Sequence, residues 1–122
     1  MTKIVTILTE GFADWETTLL NAVARAYYKA ETSYATPGGT PVTSSGGLRA
    51  TPDLATEAVQ PDDYDAVIVC GGTAWQSANP PDLSPLLRQA TDAGVLLGLI
   101  CDATWAAAKA GLLGTSLSEV TM

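Results

Sequence analysis

Cys101 is the residue of this chain best placed to do chemistry. It stands where an apolar run, Val95 to Ile100, gives way to a helical run starting at Ala103. A thiol at such a strand-to-helix turn is carried on a sharp bend with the first helical amides aimed at it, the layout of a nucleophile elbow. Unpaired amides and positive potential at that point favour thiolate over thiol. The same position also suits a small buried hydrophobe, the ordinary role of a free cysteine. Asp102 follows directly. Its carboxylate suits a helix start but opposes a neighbouring thiolate, so the two effects compete.

Glu16 is the second chemical residue. It lies in Gly11-Phe12-Ala13-Asp14-Trp15-Glu16-Thr17, at the first turn of a helix. Acidic residues are common there for reasons of capping and dipole. Facing a thiolate, a partly buried carboxyl can instead stay protonated and donate a hydrogen bond to sulfur. Gly71-Gly72 ends an apolar run and reads as a turn. Functionally, glycine there lets backbone N–H groups approach a ligand and, with the Asp102 amide, form an oxyanion hole. Trp15, Trp75 and Trp105 all fall at the carboxyl ends of strands, where they either wall a pocket or pack loops on the sheet. Cys70 reads as core. A Cys70–Cys101 disulfide depends on whether the two strands are neighbours and on side-chain direction.

The elements that must position these groups follow from periodicity. Residues 3–9 are β-branched and apolar, as a strand buried on both faces should be. Asp14 to Ala30 is helical, with Leu19, Leu20, Val23 and Tyr27 on one stripe. Residues 31–36 make a second strand, stopped by Pro37-Gly38-Gly39. Pro41 to Thr51 is a small hairpin turning at Gly46-Gly47, and Asp53 to Val59 reads as a short helix. Ala66 to Cys70 is a third core strand. Ser84-Pro85 opens a helix running to Ala93, Val95 to Ile100 is the fourth strand, and Ala103 to Ala110 is helical with Gly111 as its stop. Strands alternating with helices imply right-handed crossovers and an α/β, doubly wound, mostly parallel sheet. The expected order is second, first, third, fourth, which is flavodoxin-like and places the ligand site at the strand carboxyl ends.

Composition narrows the function. The 122 residues suit one domain, and the net charge of −7 comes with six scattered basic residues, Lys3, Arg25, Lys29, Arg49, Arg88 and Lys109. No basic stripe offers itself to nucleic acid. No apolar stretch spans a membrane, and the N-terminus lacks a signal-peptide layout, so a cytoplasmic protein is expected. Histidine is absent, which excludes Cys-His and Ser-His pairs and histidine-bound metal from this chain alone. No metal or cofactor is expected.

Three motifs, Gly11 to Thr17, Val67 to Gly72, and Leu99 to Thr104 continuing through Ala110-Gly111-Leu112-Leu113, resemble the ThiJ/PfpI superfamily. This group contains the parkinsonism-associated protein deglycase and the PfpI-type intracellular proteases, and has a class I glutamine amidotransferase-like fold. The resemblance runs from Lys3 to Leu113. It implies that Cys101 is the reactive cysteine, that Glu16 hydrogen-bonds to it, and that the Gly72 and Asp102 amides are oxyanion donors. It also implies a cysteine-dependent protein acting on small electrophiles, of hydrolase, glyoxalase, deglycase or hydratase type, and a homodimer. The alternatives are an oxidation sensor in the stress response, or an inactive fragment acting through chain pairing. Asp102 stands where protease-type members carry histidine. Family chains continue past the Gly-Leu-Leu motif, so residues 1–122 are expected to form one C-terminally incomplete domain. The fourth strand would then be an exposed edge that pairs with another chain, unless Ser116 to Thr121 folds back over it.

Overall fold

The computed structural model describes residues 1–112 and 118–120. Its main sheet has six strands in the order β5 (Leu54–Ala55), β2, β1, β6, β7 and β8 (Ser118–Val120), all paired in parallel. The central strands are the apolar runs of the sequence: β1 (Lys3–Ile7), β2 (Glu31–Thr36), β6 (Ala66–Val69) and β7 (Leu96–Ile100). Their order is the expected flavodoxin-like one. Alternate residues serve opposite faces. Val5, Ile7, Val67, Val69, Leu97 and Leu99 pack under α2 (Ser84–Asp92) and α3 (Thr104–Ala110), whereas Ile4, Ala66, Ile68 and Ile100 face Ala24 of α1 (Asp14–Tyr28). Leu87 of α2 is fully buried, and its truncation to Ala should cost about 2–5 kcal/mol. No helix among the described residues is long and apolar enough to cross a membrane.

Three features differ from the sequence reading. Asp53 to Val59 is not a helix. Leu54–Ala55 is strand β5, beside β2, followed by one 3-10 turn at Thr56–Ala58. Pro52 forces the chain into an extended entry, and Asp53 then binds Tyr34 twice: its N–H donates to Tyr34 O, and its Oδ2 accepts from Tyr34 N–H, both at 2.8 Å. Those bonds lay the next two residues along the sheet.

The fourth strand is not an edge. Ser118–Val120 (β8) pairs with β7 in the register Gly98↔Ser118, Leu99↔Glu119 and Ile100↔Val120. Backbone groups that would otherwise lie unpaired are thereby satisfied, the arrangement that sheet edges favour.

The stripe on α1 faces outward. Leu19 is 71% exposed, Tyr27 80% and Tyr28 77%, while Glu16, Thr17 and Asn21 are buried against the sheet. Hydrogen bonds stabilise this inversion. Asn21 Nδ2 donates to Thr6 Oγ1 at 3.1 Å and to Thr17 O at 3.0 Å. The Thr17 hydroxyl donates to Cys70 Sγ at 3.8 Å, and the Cys70 thiol donates to Ala13 O at 3.5 Å. Each buried polar group of this seam has a partner, so a polar face can lie on the sheet without a large desolvation cost.

The predicted hairpin forms from β3 (Val42–Thr43) and β4 (Arg49–Ala50). It is fastened to the loop between β1 and α1. Gly11 N–H donates to Thr43 O and Ser45 N–H to Phe12 O, both at 2.8 Å. Asp14 accepts from the Ser44 hydroxyl and, at 2.9 Å, from Gly46 N–H.

Candidate functional site

The loops after β1, β6 and β7 meet at the carboxyl edge of the sheet. Cys101 follows β7 directly and has φ +55°, one of two non-glycine residues in the left-handed region among those described. The Cβ penalty there is about 1–2 kcal/mol, so the surrounding bonds must fix this bend. Thr104 fastens it, since its hydroxyl donates to Cys101 O at 3.1 Å. Cys101 remains half-buried and is a free thiol. Cys70 is also a free thiol but is fully buried, and burial pushes it up to about 11, against a smaller lowering by the Thr17 hydrogen bond.

Glu16 arrives from the first turn of α1. Its Oε1 accepts from Gly71 N–H at 3.0 Å. Burial raises its carboxyl above the ordinary value, the Gly71 bond opposes that, and the charge of Asp102 adds to it. Asp102 reaches back across the sheet. Its Oδ1 accepts from Gly72 N–H at 3.0 Å, and its Oδ2 from Gln76 Nε2 at 3.1 Å. Both carboxyls crowd Gly71: a Cβ there would strike Glu16 Oε1 and lie 2.9 Å from both Asp102 Oδ1 and Ile100 O. At Gly72 a Cβ would lie 2.8 Å from Gly11 O and Phe12 Cα, because Phe12 and Gly72 form an antiparallel bridge. Both glycines are therefore required by close approach.

A cleft of about 250 Å³ opens between these loops. Cys101, Glu16, Gly72, Asp102 and Trp15 all line it, so most of the residues picked out by their chemistry come together. Glu16 and Cys101 share the cleft, but the hydrogen bond of Glu16 Oε1 goes to the Gly71 amide. The Gly72 amide is held by the Asp102 carboxylate. Trp75 and Trp105 lie elsewhere. Trp75 is 3% exposed, donates from Nε1 to Cys70 O at 3.1 Å, and with Trp105 borders a separate apolar groove beside Pro80 and Pro81. Trp75, in the turn after β6, joins the core under α2 and α3, whereas Trp105 is the second residue of α3 and is 62% exposed.

Ser45, Thr73 and Gln76 also line the cleft. Sequence reasoning missed them. Gln76 could be found only through its bond to Asp102, and Ser45 only through the docking of the hairpin, whose signal was the hydroxyl-rich Thr43-Ser44-Ser45 before Gly46.

The pattern of the DJ-1/PfpI family matches residues 2–119. Among solved structures, the chain is similar to the DJ-1 superfamily protein Atu0886 from Agrobacterium tumefaciens. The TM-score is 0.89 at 43% identity, over 93% of this chain and 60% of that one. Drosophila melanogaster DJ-1beta is similar at TM-score 0.71 and 25% identity, over 92% of this chain and 61% of that one. The HTH-type transcriptional regulator GbdR from Pseudomonas aeruginosa is 39% identical over 75 residues, which are 62% of this chain and 20% of the regulator. The chain thus spans about three fifths of the length of these structural relatives and a fifth of the regulator.

Proposed function

From the premise that the chain belongs to the DJ-1/PfpI family, we propose that the cleft is a cysteine-nucleophile site for small electrophiles. The observation that supports this most directly is the left-handed bend that holds the Cys101 thiol in a cleft shared with the Glu16 carboxyl. Strained backbone at a site residue is a recurrent mark of function. In this reading the Cys101 thiolate attacks an electrophilic carbon, and a C–S bond forms. On a carbonyl, the π electrons move to oxygen, which is stabilised by the Asp102 amide and by the Gly72 amide once the Asp102 carboxylate yields it. Glu16, favoured in its protonated form by burial, gives a proton to that oxygen and regains one from the solution into which the thiol proton was released. Intact-mass analysis after exposure to a panel of carbonyl electrophiles tests this. Adducts or turnover that vanish in Cys101→Ser support it, and adducts confined to Cys70 reject it.

The partial similarity to a transcriptional regulator supports a second reading only as far as a regulatory role, and the half-buried free Cys101 thiol supplies its oxidant chemistry. Here the domain senses oxidant without catalysis. Two equivalents of peroxide each transfer one oxygen to Cys101 Sγ, leaving as water and producing a sulfinate. A second arm of the mass experiment, with peroxide in place of the electrophiles, separates the readings, since addition of two oxygens at Cys101 without electrophile turnover supports the sensor.

Assembly belongs to the same proposal. The apolar outer face of α1 fits a second copy of this chain. Leu19, Leu20 and Tyr27 lie within about 100° of one another around the helix and are all exposed, an apolar patch of the kind that pairs with another copy. An antiparallel, two-fold pairing of α1 would bring Arg25 and Lys29 near the acidic Glu10 and Asp14 end of the second copy.

A further inference from the structure

The Cys101 cleft has an electrostatic character that follows from its lining. Its acidic residues are Glu16, whose burial favours the neutral form, and Asp102, and no lysine or arginine lines it. Asp102 uses both oxygens to accept from N–H donors, at 3.0 and 3.1 Å, which is the pattern of an ionised carboxylate fixed in place. Neither donor is a cation, so the negative charge is oriented but not neutralised. Trp15, 60% exposed, adds an aromatic wall whose face attracts positive charge. The Gly72 amide, a donor in the lining of the cleft, is already held by Asp102. An anion entering the cleft therefore meets a like charge and must displace a carboxylate to gain that hydrogen bond.

Resting on Cys101 as the nucleophile, we propose that Asp102 makes the cleft a charge filter. It admits neutral and cationic electrophiles, such as amine-bearing ones, and turns away carboxylates and phosphates. Asp102 is then a specificity-determining residue that acts on ligand charge.

Three methanethiosulfonates of similar size test this on the full chain: aminoethyl (cationic), ethyl (neutral) and sulfonatoethyl (anionic). In each, the Cys101 thiolate attacks the thiosulfonate sulfur, a mixed disulfide forms, methanesulfinate leaves, and the thiol proton passes to solvent. Cys70→Ala removes the second thiol, and N-acetylcysteine supplies the intrinsic rates. After that normalisation the cationic probe should label Cys101 on the order of tenfold or more faster than the anionic one. High salt should compress that ratio. Asp102→Asn, which keeps an acceptor for Gly72 N–H, should bring it close to that of the free thiol. A normalised ratio near one, an anionic preference, or a ratio that neither salt nor Asp102→Asn moves would overturn the filter while leaving the nucleophile intact. Failure of all three probes to label Cys101 would overturn the nucleophile reading and the filter with it.

Discussion

The backbone N–H of Gly71 donates to Glu16 Oε1 across 3.0 Å, joining the loop after β6 to the first turn of α1. This close approach requires that residue 71 have no side chain. A Cβ there would meet Glu16 Oε1, Asp102 Oδ1 and Ile100 O at once.

Gly71→Ala should therefore act as overpacking at the site. The expected loss of stability is about 1–3 kcal/mol, read as a lower urea midpoint with an unchanged slope. Cys101 labelling should slow in the folded variant, because both carboxyls must shift. A variant with the wild-type midpoint would show that the loop gives way easily.

Glu16 should leave a signature in the dependence of stability on pH. Burial, aided by the charge of Asp102, raises its folded value above the ordinary 4.5 despite the Gly71 bond. The folded state then holds this proton more tightly than the unfolded chain. Its contribution is fully present below the ordinary glutamate value and is lost as pH rises through the folded value. Glu16→Gln, which cannot ionise, should flatten the pH–stability curve across that window. Unfolding by urea at a series of pH values checks this, and curves that run parallel through the window would contradict it.

Cys101 should react with a limiting alkylating agent well before Cys70. Cys70 is fully buried, and its thiol is pushed up to about 11, so at neutral pH its thiolate is scarce as well as inaccessible. Peptide mapping should place at least ten labels on Cys101 for each on Cys70, an order-of-magnitude expectation from thiolate fraction and access. Preferential labelling of Cys70 would relocate the reactive thiol.

Leu19→Asp should weaken self-association without unfolding the chain. Leu19 is 71% exposed, so the monomer loses little packing, whereas a pair built on α1 would bury an unpaired charge. Light scattering at micromolar concentration should show a dimer in the wild type and a monomer in the variant. A wild-type monomer would remove α1 from the account of assembly.

Parts of this molecule were legible because their signals are local. Parallel strands buried on both faces are nearly continuous apolar runs, so β1, β6 and β7 announced themselves, and their order followed from the flavodoxin-like arrangement. Cys101 was marked by its place at the end of one of them. Other parts depend on where side chains reach in space. Asp53 reads as a helix start until its two bonds to Tyr34 are seen. The stripe of α1 has the same period whether it faces the core or the solvent, and Thr17 and Asn21 decide the matter only through Cys70 and Thr6. The capture of the Gly72 amide by Asp102 joins two loops from neighbouring strands, and no spacing along the chain encodes it.

The polar seam beneath α1 has a consequence for motion. Apolar contact is non-directional, so a helix resting on aliphatic side chains can slide by fractions of an ångström at little cost. Hydrogen bonds weaken steeply with misalignment. The bonds from Asn21 to Thr6 and from Thr17 to Cys70 therefore hold α1 at one axial position over the sheet. Glu16 immediately precedes Thr17 and moves with it. The helix thus works as a ruler, setting where one carboxyl meets one backbone amide. Replacing the seam with well-packed aliphatic residues would spare the fold and blur the ruler, so damage would register as a wandering side chain before it registered as unfolding.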